Sequence, residues 1–210
     1  MINFTDITGL ASSTVAILAL TVHLPGVARL HKPYLLLLMG IVAVAVLVPF
    51  GGLPLAAYVR GATGDLSVAS LVLLLMSILR PLCGRTPGGQ FNASTRCMSE
   101  EGRLALLLLV ALAAAALYPM ALGLGLFDPY RLGYGNPWLL GGLLLLALTA
   151  VFRRLPLVAL TVALAVFAWS VGWYESGNLW DYLLDPLLAI YAIGALLKRA
   201  VQSCCGPRRV

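Results

Sequence analysis

The sequence predicts an all-α integral membrane protein: one transmembrane domain over residues 1–210, built as a bundle of about seven transmembrane helices with the N-terminus outside and the C-terminus cytoplasmic. Three observations predict it. Hydrophobic residues make up 61% of the chain and charged residues only 10%, against roughly 25% charged in soluble domains. Mean hydropathy is +0.97. The basic residues recur in clusters that alternate with apolar runs, as topology signals do.

Apolar windows able to cross a hydrocarbon core about 30 Å thick fall at 7–28, 34–59, 67–83, 104–127, 138–152, 155–173 and 180–197. The first follows MINFTDIT, which carries Asp6, no basic leader and no small-residue cleavage site. It is expected to persist as a helix, interrupted near its end by His23 and Pro25. The second runs into "YVRGATGDLS", where Gly61 and Gly64 suit a tight turn and Asp65 is placed to cap the third helix. A cytoplasmic loop, 84–103, follows the third window. It has no Walker A or G-x-G-x-x-G motif, and its sequon Asn92-Ala93-Ser94 faces the wrong side for glycosylation. Pro119 is placed to kink the fourth helix. The outer loop "FDPYRLGYGNPW" reads as an ordered turn in which Asp128 and Arg131 can pair. The fifth window is short for a span, which allows tilt, local thinning or a re-entrant path. It joins the sixth through Arg153, Arg154 and Pro156. Gly177 ends the sixth and Asn178 caps the seventh, so Asn178, Asp181 and Asp185, spaced i, i+3, i+7, are expected on one helix face. A cytoplasmic tail, 198–210, closes the chain.

Orientation follows from charge. With the N-terminus outside, twelve of the fourteen basic residues lie on the cytoplasmic side, leaving Arg60 and Arg131 outside. Six of the eight acidic residues, Asp6, Asp65, Asp128, Glu175, Asp181 and Asp185, then fall at the outer boundary. Trp138, Trp173, Tyr174, Trp180 and Tyr182 lie at the same level, as an aromatic belt requires.

The net charge of +6 is dispersed in small groups, so no nucleic-acid face is expected. Only two histidines, His23 and His31, occur, which excludes a multi-histidine zinc site. The four cysteines, Cys83, Cys97, Cys204 and Cys205, are all expected on the reducing side, with no metal spacing. The spans carry few polar groups (Ser70, Ser77, Thr149, Thr161, Ser170) and no charge near a midplane, which disfavours a pump.

The acidic outer rim is the candidate working face. Asp65, Glu175, Asp181 and Asp185 are candidate catalytic carboxylates, and Arg60, Asn178, Trp180 and Tyr182 candidate substrate-binding residues. Arg60 suits a phosphate head group, and the carboxylates suit Mg²⁺ or Ca²⁺ or general acid–base work. The competing reading makes the same residues helix caps and structural ion pairs. The expected function is to act on or bind a lipid or lipid-linked envelope substrate at the outer leaflet of a bacterial inner (plasma) membrane. Membrane lipids are the expected partners. A non-catalytic subunit or scaffold bound to a membrane-protein partner, and a small transporter or channel, are the alternatives.

Overall fold

The computed structural model describes residues 4–27, 30–83, 99–124 and 128–205. Nine α-helices dominate them: α1 (Phe4–His23), α2 (Lys32–Leu47), α3 (Leu55–Thr63), α4 (Val68–Cys83), α5 (Glu100–Pro119), α6 (Pro137–Phe152), α7 (Pro156–Ser170), α8 (Leu179–Leu183) and α9 (Pro186–Cys205). Three stretches are long and apolar enough to cross a membrane: Phe4–His23, Glu100–Leu124 and Pro186–Cys204. Four shorter apolar helices accompany them: Lys32–Leu47, Val68–Leu82, Pro137–Phe152 and Pro156–Ser170. Arg29, Arg85, Arg96, Arg208, Arg209, Cys97 and the sequon lie outside the described residues.

Two expected spans are corrected. The window 34–59 is not one helix: α2 stops at Leu47, and Pro49–Phe50 pairs antiparallel with Leu53–Pro54. Pro49 has no N–H to continue the ladder, and Gly51 and Gly52 adopt φ of 67° and 102°, open to glycine alone without strain. The chain then re-enters as the separate helix α3, which carries Arg60 in its last turn. The window 180–197 is also divided. Leu184 is extended, with φ −135° and ψ 143°, so α8 ends at Leu183 and the last long helix starts at Pro186. Asn178, Asp181 and Asp185 therefore do not share one helix face; Asn178 caps α8, while Asp185 stands at the head of α9. At Pro119 the α-helix gives way to a π-helical turn, Met120–Leu124, with Gly123 at φ 87°.

Helix α7 is the centre of the packing. It lies against α4, α5, α6 and α8, and buries Val158, Thr161, Val162 and Ala165. Its small residues let the neighbouring backbones come close, which drives helix association where lipid offers no hydrophobic contrast. α1 packs on α4 and carries α2 and α3 with it, while α9 packs mainly on α5. The α1–α4 pair and α9 thus join the core through different neighbours. Among the buried hydroxyls of α1, Ser12, Ser13 and Thr14 bond back up their own helix to Thr8, Gly9 and Leu10, while Thr8 Oγ1 donates to Trp173 O at 2.6 Å and ties α1 to the loop after α7.

Candidate functional site

The carboxylates that the sequence predicts at the outer boundary belong to three hydrogen-bonded clusters with no residue in common. In the first, Arg60 extends from α3 over α1. Its Nε donates to Asp65 Oδ1 at 2.7 Å and its Nη2 to Asp65 Oδ2 at 3.2 Å. Nη1 reaches Asp6 Oδ1 at 3.2 Å, and Glu175 Oε1 lies 3.5 Å from Nη2. The hydrogen bond that Arg60 donates to Asp65 is the main reason its pKa is raised above the ordinary arginine value. The guanidinium crosses α1 at Gly9, where a Cβ would overlap its Nε and Cζ. This cluster joins α1, α3 and the loop after α7. Three carboxylates fill the planar fork that the sequence offered as a phosphate clamp.

Asp185 is the centre of the second cluster, and it is buried. Its Oδ2 accepts from Ser67 N–H at 3.1 Å, Ser67 Oγ at 2.7 Å and Ser70 Oγ at 2.5 Å, while Oδ1 accepts from Leu188 N–H at 2.7 Å. Ser67 also accepts from Ser70 N–H and so caps α4, the role expected of Asp65. One carboxylate therefore serves the N-termini of both α4 and α9, where exposed N–H groups and helix dipoles favour negative charge.

The third cluster joins the segment before α6 to the segment between α7 and α9. Asp181 accepts from Tyr130 Oη at 2.9 Å and Ser176 Oγ at 2.5 Å. Asn178, fully buried, caps α8 by accepting from Trp180 N–H and donates to Tyr130 O at 3.0 Å. Trp180 Nε1 donates to Pro129 O at 3.0 Å. Gly133 makes this approach possible, because a Cβ there would overlap the Asn178 amide. Asp128 caps the following 3₁₀ turn through Tyr130 N–H. Tyr182, fully buried, donates to Ser176 O and stacks at 4.9 Å on Tyr174, whose hydroxyl reaches Leu66 O. Burial pushes the Tyr174 phenol up to about 12, and burial likewise raises Tyr130 and Tyr182.

The structure thus brings Arg60 together with Asp65 and Glu175, and places Asp181 and Asp185 with other partners. Among the described residues no group of three or more His, Cys, Asp or Glu is arranged to hold a metal ion. Ser67, Ser176, Tyr130 and Gly133 were not singled out from sequence. Only Ser67 carried a signal, as a serine directly before an apolar helix.

A different feature has the character of a binding site. Between α1, α4 and α9 lies a cleft of about 550 Å³, within the range of roughly 300–1,000 Å³ typical of small-molecule sites. Ala16, Leu20, Leu73, Ser77, Leu187 and Tyr191 line its length. Leu20, Leu187 and Tyr191 are also exposed at the protein surface, so the cleft opens sideways. One end is closed by Leu66 and by Ser70, the latter bonded to Asp185. The other end is polar and holds His23, Arg80, Ser99 and Arg103. The Asp185 cluster ties α4 and α9 together at one end, and their divergence beyond it leaves the space.

Comparison of the chain with protein-family models, curated proteins and solved structures gives no match.

Proposed function

We propose that this chain is a seven-helix integral protein of a bacterial inner (plasma) membrane, N-terminus outside and C-terminus cytoplasmic, and that it binds a lipid or lipid-linked molecule with an apolar chain in the cleft between α1, α4 and α9. The observation that carries the reading is the shape and lining of that cleft: apolar along its length, open sideways at exposed Leu20, Leu187 and Tyr191, and polar at one end. In a bilayer such an opening faces acyl chains. The three long and four shorter apolar helices support the seven-span layout, and the distribution of arginine and lysine supports the orientation.

Asp65, Asp181 and Asp185 serve a structural role in this reading, because their acceptor oxygens already receive internal donors. The polar cleft residues Ser99 and His23 are likewise occupied by backbone groups. Ser99 accepts from Gly102 N–H, and His23 Nδ1 lies 2.7 Å from Ala19 O, so that nitrogen carries the proton.

Native mass spectrometry of protein released from membranes in a mild detergent tests the proposal. Wild type is expected to retain a lipid-sized adduct, and Ala16→Phe and Ser77→Phe, each filling the cleft, are expected to lose it without loss of fold. Equal retention by all three proteins would remove the proposal. Orientation is checked with a membrane-impermeant thiol reagent. Exposed Cys204 should react in inverted vesicles and not in intact cells; labelling in intact cells would reverse the topology.

A further inference from the structure

We infer that the cleft selects an anionic phospholipid of the cytoplasmic leaflet, with the phosphate seated between Arg80 and Arg103 and one acyl chain along the cleft. This inference rests on the cleft being a lipid site, and it adds the head-group chemistry.

Four observations converge on the polar end. Arg80 comes from the last turn of α4 and Arg103 from the first turn of α5, so two guanidinium groups from different helices meet at the mouth of the cavity. A single carboxylate already bridges them: Glu100 Oε1 lies 2.9 Å from Arg80 Nη2, and Glu100 Oε2 lies 3.7 Å from Arg103 Nη1. Two donors that share a carboxylate in this way are set to share the oxygens of a phosphate. The site also stands at the N-terminus of α5, a helix of 20 residues, whose first-turn N–H groups favour an anion. Finally, Arg103 donates to the hydroxyl of Tyr191, and Tyr191 lines the cleft, so the charged end is physically continuous with the apolar channel.

Glu100 acts in this scheme as an internal competitor. The Glu100 side chain is 58% exposed and the arginines 43% and 32%, so the carboxylate can swing into solvent when a lipid phosphate arrives. No covalent step is involved; one anion replaces another between the same donors. His23 lines the same end of the cleft. By the positive-inside assignment this end faces the cytoplasm, where anionic lipid and basic side chains meet.

The test is competition between phosphatidylglycerol and phosphatidylcholine of matched acyl chains, added in equal amounts to the full-length protein in detergent and counted by native mass spectrometry. Each arginine near an anionic head group is worth about fivefold in affinity, and Glu100 cancels about one of the two. Wild type is expected to prefer phosphatidylglycerol about fivefold. Arg80→Gln/Arg103→Gln should lose the preference for phosphatidylglycerol. Glu100→Gln should raise the preference by about a further fivefold, a gain that misfolding does not produce. Equal binding of the two lipids by wild type, or no gain in Glu100→Gln, overturns the head-group assignment while the cleft remains a lipid site. Undiminished binding of both lipids by Ala16→Phe overturns the cleft reading, and this inference with it.

Discussion

Asp185→Asn is the most informative single substitution, because it keeps the shape of the side chain and changes only its hydrogen-bonding capacity. Asp185 accepts on both oxygens: three donors converge on Oδ2 and the Leu188 N–H on Oδ1. An amide has one acceptor oxygen. If it faces Ser67 and Ser70, its NH₂ opposes the Leu188 N–H; if it faces Leu188, its NH₂ opposes the Ser67 N–H. Neither backbone donor can turn away. One buried donor is left unpaired at a cost of about 1–3 kcal/mol, and the remaining bonds lose their charge assistance, roughly half their strength. Relief from burying a charge offsets part of this. The expected net loss is about 2–4 kcal/mol. Asp181→Asn is the matched control: its donors are the hydroxyls of Tyr130 and Ser176, which can rotate to accept from an amide, so the expected cost is about 1 kcal/mol. Equilibrium unfolding in mixed micelles, followed by tryptophan fluorescence, measures both. If Asp185→Asn unfolds within about 0.5 kcal/mol of wild type, or Asp181→Asn costs as much, the carboxylate does not hold α4 and α9 as described.

Gly133→Ala is expected to destabilise by about 1–3 kcal/mol, since its Cβ overlaps the Asn178 amide that caps α8; a neutral result in the same titration would mean the two segments are not packed as the structure shows. Alkaline pH should weaken the packing around Tyr174. Tyr174 ionises near 10 when unfolded but is pushed up to about 12 by burial in the fold. Its contribution is complete below pH 10 and is lost as pH rises through about 12, at up to about 1.4 kcal/mol per unit. Tyr174→Phe should flatten that limb of the stability–pH curve, and an unchanged slope would contradict the assignment. Helices of 15 or 16 residues, α2, α4, α6 and α7, extend only about 24 Å at 1.5 Å per residue, against a hydrocarbon core of about 30 Å. Thermal stability is therefore expected to be higher in dimyristoyl than in dioleoyl bilayers; the reverse order would refute the match to a thin membrane.

Each apolar window of the sequence contains one apolar helix, three of them long enough to cross a membrane, because apolarity is written directly into composition. Backbone continuity is not. The run from 34 to 59 is apolar throughout, yet Pro49, Gly51 and Gly52 turn the chain, and their punctuation was legible once apolarity was set aside. Pro186 at the head of α9 carried the same message. The candidate site was legible only in part. Arg60 and Asp65 lie five residues apart on one turn and were readable as a pair. Asp185 and its serine partners are separated by 115 and 118 positions, and two serines at the start of an apolar helix are unremarkable in isolation. The cleft has no motif at all. It exists because α4 and α9 are tied at one end and attach to different neighbours beyond it, a property of packing that a single sequence does not display.

Photolabelling with a phospholipid that carries a photoreactive group within its acyl chain tests the central claim most directly. The protein is labelled in bilayers and the adducts are mapped by peptide mass spectrometry. The account predicts concentrated labelling of the segments that line the cleft, around Ala16 and Leu20, Leu73 and Ser77, and Leu187 and Tyr191, and loss of that labelling in Ala16→Phe. Exposed residues elsewhere, such as Leu36 and Ile41 on α2 and Leu144 and Leu145 on α6, provide the background for lipid contact in general. Labelling no stronger at the cleft than at those positions would contradict a lipid site between α1, α4 and α9.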